Sequence, residues 1–392
     1  MKSVLGADPF ILFDKNSGFY YSYCTGGDEK GAFRIYKSKD MVEWEFVSLA
    51  LSFSHPNVWG KDWFWAPECY YNDNNGYYYL FYSARVKDEL TKEYFAIDDY
   101  FESAKIGVAV SKSPEGPFVN FTNRPLDYYP YDPEYYDIDA ICDNVFDKNK
   151  DDNLEKNAPK GVYLSSIDAD IFIDDDKRIY LYFSRCCYRN CVYDEKLDKY
   201  IEESNICVVE LNNDWWFTKG EPIMPTIKSD YKVIAENGLR QDKFLTVINY
   251  NNEPQEWENG HVNDYEMFNL KNRRWSEGSA LFKHKIDDKD MYFIMYSCNN
   301  FQNSLYGVGI AYSDNPISGF KKFDGNPIIS QNEKESLYST GHGSFLKVNN
   351  EYYYLFHGRD NPKHNRIVYL GKVIVNNLKD IFVHDIKKCV LK

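Results

Sequence analysis

Residues 6–23 read GADPFILFDKNSGFYYSY. An acid beside a proline leads into an apolar run. A polar turn follows, then a second run rich in tyrosine. Apolar runs joined by Asn, Asp and Gly turn residues predict a β-hairpin. The pattern recurs as APECYYNDNNGYYYLFYSA at 66–84, DADIFIDDDKRIYLYFSR at 168–185, EGSALFKHKIDDKDMYFIMYSC at 277–298 and HGSFLKVNNEYYYLFHGR at 342–359. Each hairpin is followed by a segment that reads as strand, turn, strand. These are FRIYKSKDMVEWEFV at 33–47, KIGVAVSKSPEGPFVNF at 105–121, NICVVELNNDWWF at 205–217, GVGIAYSDNPISGFKKF at 307–323 and RIVYLGKVIVNNLKDIFV at 366–383.

Five copies of a four-stranded unit predict an all-β fold, a five-bladed β-propeller with four-stranded antiparallel blades around a central channel. The single domain would span residues 1–392, with blades starting near 8, 66, 168, 277 and 342 and insertions near 127–160 and 225–275. In such a fold the first strand of each blade lines the channel, so residues at the starts of these strands meet at one face. Asp8, Asp168, Glu277 and His342 all stand there. Clustered carboxylates repel and shift one another's pKa, which is how acid–base sites are built.

Composition narrows the partners. The 392 residues carry a net charge of −14, which argues against nucleic acid or an anionic membrane, because phosphate surfaces call for a basic face. No apolar stretch reaches the length of a membrane span. MKSVLGADPF has no apolar signal-peptide core, so a cytoplasmic location is expected. Nine cysteines, scattered and without zinc-type spacing, read as reduced thiols. The 35 Tyr, 26 Phe and 8 Trp are mostly strand residues; a few could stack on sugar rings.

The chain resembles glycoside hydrolase family 43. The motifs are ADPFI at 7–11, WAPE at 65–68, SIDADIFIDDD at 166–176, SEGSALF at 276–282 and TGHGSF at 340–345, in that family's order. The segment YSCNNFQNSLYGVGIAYSDNPISGFKKFDGNPI at 296–328 is similar to its fourth blade. The resemblance implies inverting hydrolysis of a pentoside, usually an α-L-arabinofuranoside or a β-D-xyloside. Asp8 matches the general base, Glu277 the general acid, and Asp168 the carboxylate that keeps the acid's pKa raised and orients it. His342 matches a histidine near which many relatives hold calcium, largely through water. An inverting pair needs its carboxyls roughly 6.5–9.5 Å apart to admit a water. The sequence departs from the family pattern at Ala169, Lys177 and Ser279, none of which removes a functional group.

Further candidates are less decided. Trp65 and Glu68 read either as a sugar wall and polar contact or as a buried strand edge. Trp63 and Phe64 would extend an aromatic shelf. Arg359 would bind sugar hydroxyls or pair with the acids, whereas His357 reads as packing. Asp174–Asp176 read as a solvated turn rather than calcium ligands. The insertions would rim the pocket, Trp257 and His261 being unassigned. The expected partner is an oligosaccharide or polysaccharide. The alternatives are an endo-arabinanase or a catalytically silent propeller that binds a glycan or protein.

Overall fold

Ala7–Asp14 (β1), Phe19–Asp28 (β2), Gly31–Ser38 (β3) and Glu43–Ser52 (β4) pair antiparallel in that order. Gly60–Asn72 (β5), Tyr77–Val86 (β6), Ala104–Ser111 (β7) and Val119–Asn120 (β8) do the same. So do Ser165–Ile173 (β9), Ile179–Asp194 (β10) and Lys199–Leu211 (β11). Lys232–Ile234 (β12) and Arg240–Asp242 (β13) form a separate ribbon, and Leu245–Ile248 (β14) adds the fourth strand beside β11. His261–Asn263 (β15) pairs with the start of Leu270–Ile286 (β16), which continues into Lys289–Cys298 (β17), Gly307–Ser313 (β18) and Lys321–Lys322 (β19). Tyr338–Val348 (β20), Glu351–Arg359 (β21), Ile367–Asn377 (β22) and Asp380–Lys388 (β23) make the last group, and Val390–Leu391 (β24) runs parallel to β4. This computed structural model describes residues 2–95, 100, 102–126, 165–194, 199–234, 240–242, 244–250, 252–258, 261–263 and 270–392, so the insertion expected at 127–160 lies outside the described residues.

The fold is all-β. The first strands of the five groups are neighbours in a closed circuit: β1 touches β5, β5 touches β9, β9 touches β16, β16 touches β20, and β20 touches β1. The circuit is closed outside by the chain ends, where Val4 N–H donates to Cys389 O at 3.0 Å and Val390 N–H to Val42 O at 2.9 Å. Between the third and fourth groups, β11 and β16 pair in parallel.

The hairpin turns repeat too. Gly18, Gly76, Lys177, Asp288 and Asn350 take left-handed φ values of 71°, 72°, 68°, 64° and 64°. Lys177 thus adopts unaided the conformation that glycine favours at the first two turns. Most tyrosines of the second strands are buried, among them Tyr21, Tyr79, Tyr182, Tyr296 and Tyr354, so strand packing accounts for them.

One expected strand is absent. The end of NICVVELNNDWWF, Asp214–Phe217, is a short helix, and β14 fills the fourth place. Trp215 is fully buried there, with its ring 4.9 Å from Tyr79 and 5.8 Å from Phe81 of the second group. Burial of a large indole against a neighbour outweighs its local preference for strand. The described cysteines Cys24, Cys69, Cys186, Cys207, Cys298 and Cys389 are buried. Among the described residues no helix is long and apolar enough to cross a membrane.

Candidate active site

Each first strand carries a bulge near its start, where the register to its partner shifts. At each bulge one residue takes a left-handed φ: Asp8 at 47°, Ala66 at 48°, Asp168 at 60°, Gly278 at 60° and His342 at 38°. That conformation costs an L-residue roughly 1–2 kcal/mol. A bulge also frees a backbone N–H from the ladder. In four groups a side chain from the preceding group's second strand accepts it. Asp8 N–H donates to His357 Nδ1 at 3.1 Å, Ala66 N–H to Thr25 Oγ1 at 2.8 Å, Asp168 N–H to Ser83 Oγ at 2.9 Å and His342 N–H to Ser297 Oγ at 2.7 Å. Glu277 was expected to share the position of Asp8, Asp168 and His342. It stands one residue earlier, in register with Ser297, because Gly278 occupies the bulge.

Asp8 is buried among cations. Its Oδ1 lies 3.3 Å from Arg366 Nη1 and 3.5 Å from His342 Nδ1, and its Oδ2 accepts the Thr25 hydroxyl at 2.7 Å. Burial alone would push this carboxyl up, but His342 and Arg366 outweigh it and hold it well below the usual carboxylate range. Asp168 is the opposite case. Burial pushes it up to about 7, with Glu277 and Asp8 adding to the rise and His342 and the Ser184 hydroxyl opposing it. Burial would neutralise His342, yet Asp168, Asp8 and Glu277 together raise its pKa. The imidazole thus stands in the field of all three carboxyls. The Glu277 carboxyl accepts two short bonds, from Trp275 Nε1–H at 2.6 Å and from Tyr306 O–H at 2.6 Å.

The other candidates fall around this centre. Trp65 is half-buried and stacked on Trp63, with centroids 4.8 Å apart and planes at 12°. Arg85 lies over the Trp63 ring at 4.6 Å. Glu68 is buried one step deeper, accepts the Tyr70 hydroxyl, and is pushed far up by burial and by Asp170. Arg359 turns to the carbonyl of His364; the guanidinium on Asp8 belongs to Arg366. His357 does pack, as expected, stacking on Tyr306, but it also holds the Asp8 amide. Asp174 and Asp175 pair with Lys283, and Asp176 with Arg178. Trp257 packs over Gly309, where a Cβ would meet its ring at 2.5 Å. His261 lies in β15, which pairs with β16.

Thr25, Trp275, Tyr306 and Arg366 were not singled out from sequence. Only Thr25 had a signal, since it follows the aromatic run of a second strand as Ser83, Ser184 and Ser297 do. Calcium takes six to eight oxygen donors. Here His342 Nδ1 faces an Asp8 oxygen that Arg366 also contacts, and among the described residues no three His, Cys, Asp or Glu side chains group as metal ligands. Among the described residues, the side chains around His342 do not fit a calcium ion held directly by the protein.

The family model for glycosyl hydrolases family 43 matches residues 2–148 and 152–376. The chain belongs to glycosyl hydrolases family 43. This family 43 chain is 23% identical to beta-D-galactofuranosidase xynD of Aspergillus niger over 382 residues, 96% of this chain and 81% of that protein. The crystal structure of an endo-1,4-beta-xylanase from Bacteroides thetaiotaomicron is 25% identical, with a TM-score of 0.64 over 100% of this chain and 98% of that one. An alpha-L-arabinanase from Cellvibrio cellulosa, solved with arabinohexaose, has a TM-score of 0.57 over 98% and 96% of the two chains; at 15% identity that likeness is one of fold. Membership of family 43 makes the protein a glycoside hydrolase by family, with a carbohydrate substrate.

Proposed function

We infer that this family 43 protein is an inverting glycosidase that removes pentoses from the ends of arabinan- or xylan-derived oligosaccharides, an α-L-arabinofuranosidase or β-D-xylosidase on a five-bladed propeller. The observation that carries it is the opposite treatment of the two buried aspartates. Arg366 and His342 keep Asp8 ionised, as a general base must be, while burial and neighbouring charge push Asp168 up. Asp8 takes a proton from a water that attacks the anomeric carbon. Glu277, oriented by Trp275 and Tyr306, gives a proton to the departing oxygen. Asp168 stands beside them as the third carboxyl and helps to orient the acid. Trp65, on its Trp63 neighbour, offers an aromatic face to the sugar. The closed circuit of five first strands supports the propeller.

A second reading is cleavage within chains, favoured by the full-length likeness to an endo-1,4-beta-xylanase. One experiment separates the readings. Nitrophenyl α-L-arabinofuranoside, β-D-xyloside and β-D-galactofuranoside are offered alongside arabinan and xylan oligomers, with Asp8→Ala and Glu277→Ala as controls. The first-formed anomer is read by proton NMR. Release of single pentoses with inverted configuration is expected. A retained anomer would sink the inverting assignment, and oligomeric products would favour the endo reading. Inactivity of wild type and both variants alike would leave a glycan-binding protein.

A further inference from the structure

The second strands share a recurrent position. Thr25, Ser83, Ser184, Ser297 and His357 stand opposite Ala7, Trp65, Ile167, Glu277 and Gly341, the residue before each bulge. Four are small hydroxyl residues. The fifth is a histidine, and it serves the bulge that carries Asp8. Because Asp8 N–H donates to His357 Nδ1, that nitrogen bears no proton, so its 3.4 Å contact with Asp8 Oδ1 is not an ion pair. Burial lowers the His357 pKa to about 3, in keeping with a neutral ring. Nε2 then carries the proton and is buried without a hydrogen-bond partner among the described residues. A serine would hold the amide without that cost, so holding the amide does not explain the ring.

Its other contact does. The His357 ring stacks on Tyr306 with centroids 5.7 Å apart and planes at 14°. Tyr306 is fully buried and donates to Glu277 Oε1 at 2.6 Å. Its ring lies where a Cβ on Gly341 would clash, so the space for it is built into the strand that pairs with His357. Two stacked rings thus connect the amide of Asp8 to the carboxyl of Glu277.

We propose that His357 and Tyr306 are a pair of positioning residues that set the separation of the Asp8 and Glu277 carboxyls. The inference rests on the reading of those two as base and acid. An inverting enzyme depends on that separation, because a water must fit between base and sugar. Displacements near 1 Å cost about 100-fold in rate.

The test uses His357→Ser, which introduces the residue type found at this position in three other second strands, and Tyr306→Phe, which keeps the stack and removes the bond to Glu277. Crystal structures of both variants measure the Asp8–Glu277 carboxyl separation directly. A change of about 0.5 Å or more in each is expected, the tolerance of a productive site. On oligosaccharides kcat should fall about 100-fold with KM little changed. In Tyr306→Phe, activated aryl glycosides, which need no protonation of the leaving group, should lose less. An unchanged separation in either variant, or equal losses on both substrate types in Tyr306→Phe, overturns the proposal. A wild type inactive on every glycoside would sink the functional reading, while the separations would still decide the role of the pair.

Discussion

A Cβ on Gly278 would stand 2.7 Å from Cγ of the His342 imidazole, at a residue whose φ is +60°. The backbone conformation alone does not demand glycine, since Ala66 adopts the same one at the equivalent bulge. The imidazole does. Gly278→Ala should push His342 away from the three carboxyls in whose field it stands. The expected cost is about 1–3 kcal/mol of stability from overpacking, with a loss of kcat well beyond what that destabilisation explains. Thermal unfolding and steady-state kinetics at one temperature check this; retained kcat would show that the imidazole has another place to go.

The acid limb of the pH profile should report Arg366. Burial would raise the Asp8 pKa, and His342 and Arg366 overcome it. Deleting a guanidinium 3.3 Å away favours the protonated form. In Arg366→Ala the acid limb of kcat/KM should therefore move to higher pH, by about one unit or more. A profile from pH 3 to 7 measures the shift. An unmoved limb would mean that His342 alone keeps the base ionised.

Stability should fall as pH rises. Burial pushes Asp168 up to about 7 and Asp170 up to about 8. Between about pH 4 and 8 the folded protein holds protons that the unfolded chain has released, so stability decreases through that window. The Asp170 carboxyl accepts the Leu281 amide at 2.9 Å, a bond that an asparagine oxygen can also accept. Asp170→Asn should match wild type near pH 4 and unfold several degrees higher at pH 8. Melting curves across the window test it, and parallel curves would remove Asp170 from the account.

Trp65 precedes its bulge as Glu277 does and is backed by Trp63. Trp65→Ala should raise KM for oligosaccharides about tenfold, the worth of one aromatic contact. The effect on kcat should be smaller. An unchanged KM would assign the indole to strand packing.

The hairpins were legible because each rests on its own few residues: apolar alternation, then a turn. The same local logic failed at Asp214–Phe217, where strand-forming aromatics make a helix because Trp215 finds its core in another group. Asp8, Asp168 and His342 were recognisable from their shared repeat position. Glu277 lies one residue off it, which only the bulge register reveals. Arg359 drew notice through its motif. The guanidinium that reaches Asp8 is Arg366, and chain direction after the hairpin decides between them.

By itself the sequence determined the repeat and the acids at the strand starts. Both are encoded within a few neighbouring residues. Tertiary structure decided what the acids are. Asp8 and Asp168 are the same residue at the same bulge, yet one is held ionised and the other is pushed to about 7. Desolvation and Coulomb forces depend on distance in space. The groups that set them for Asp8, Arg366 and His342, come from the far end of the chain.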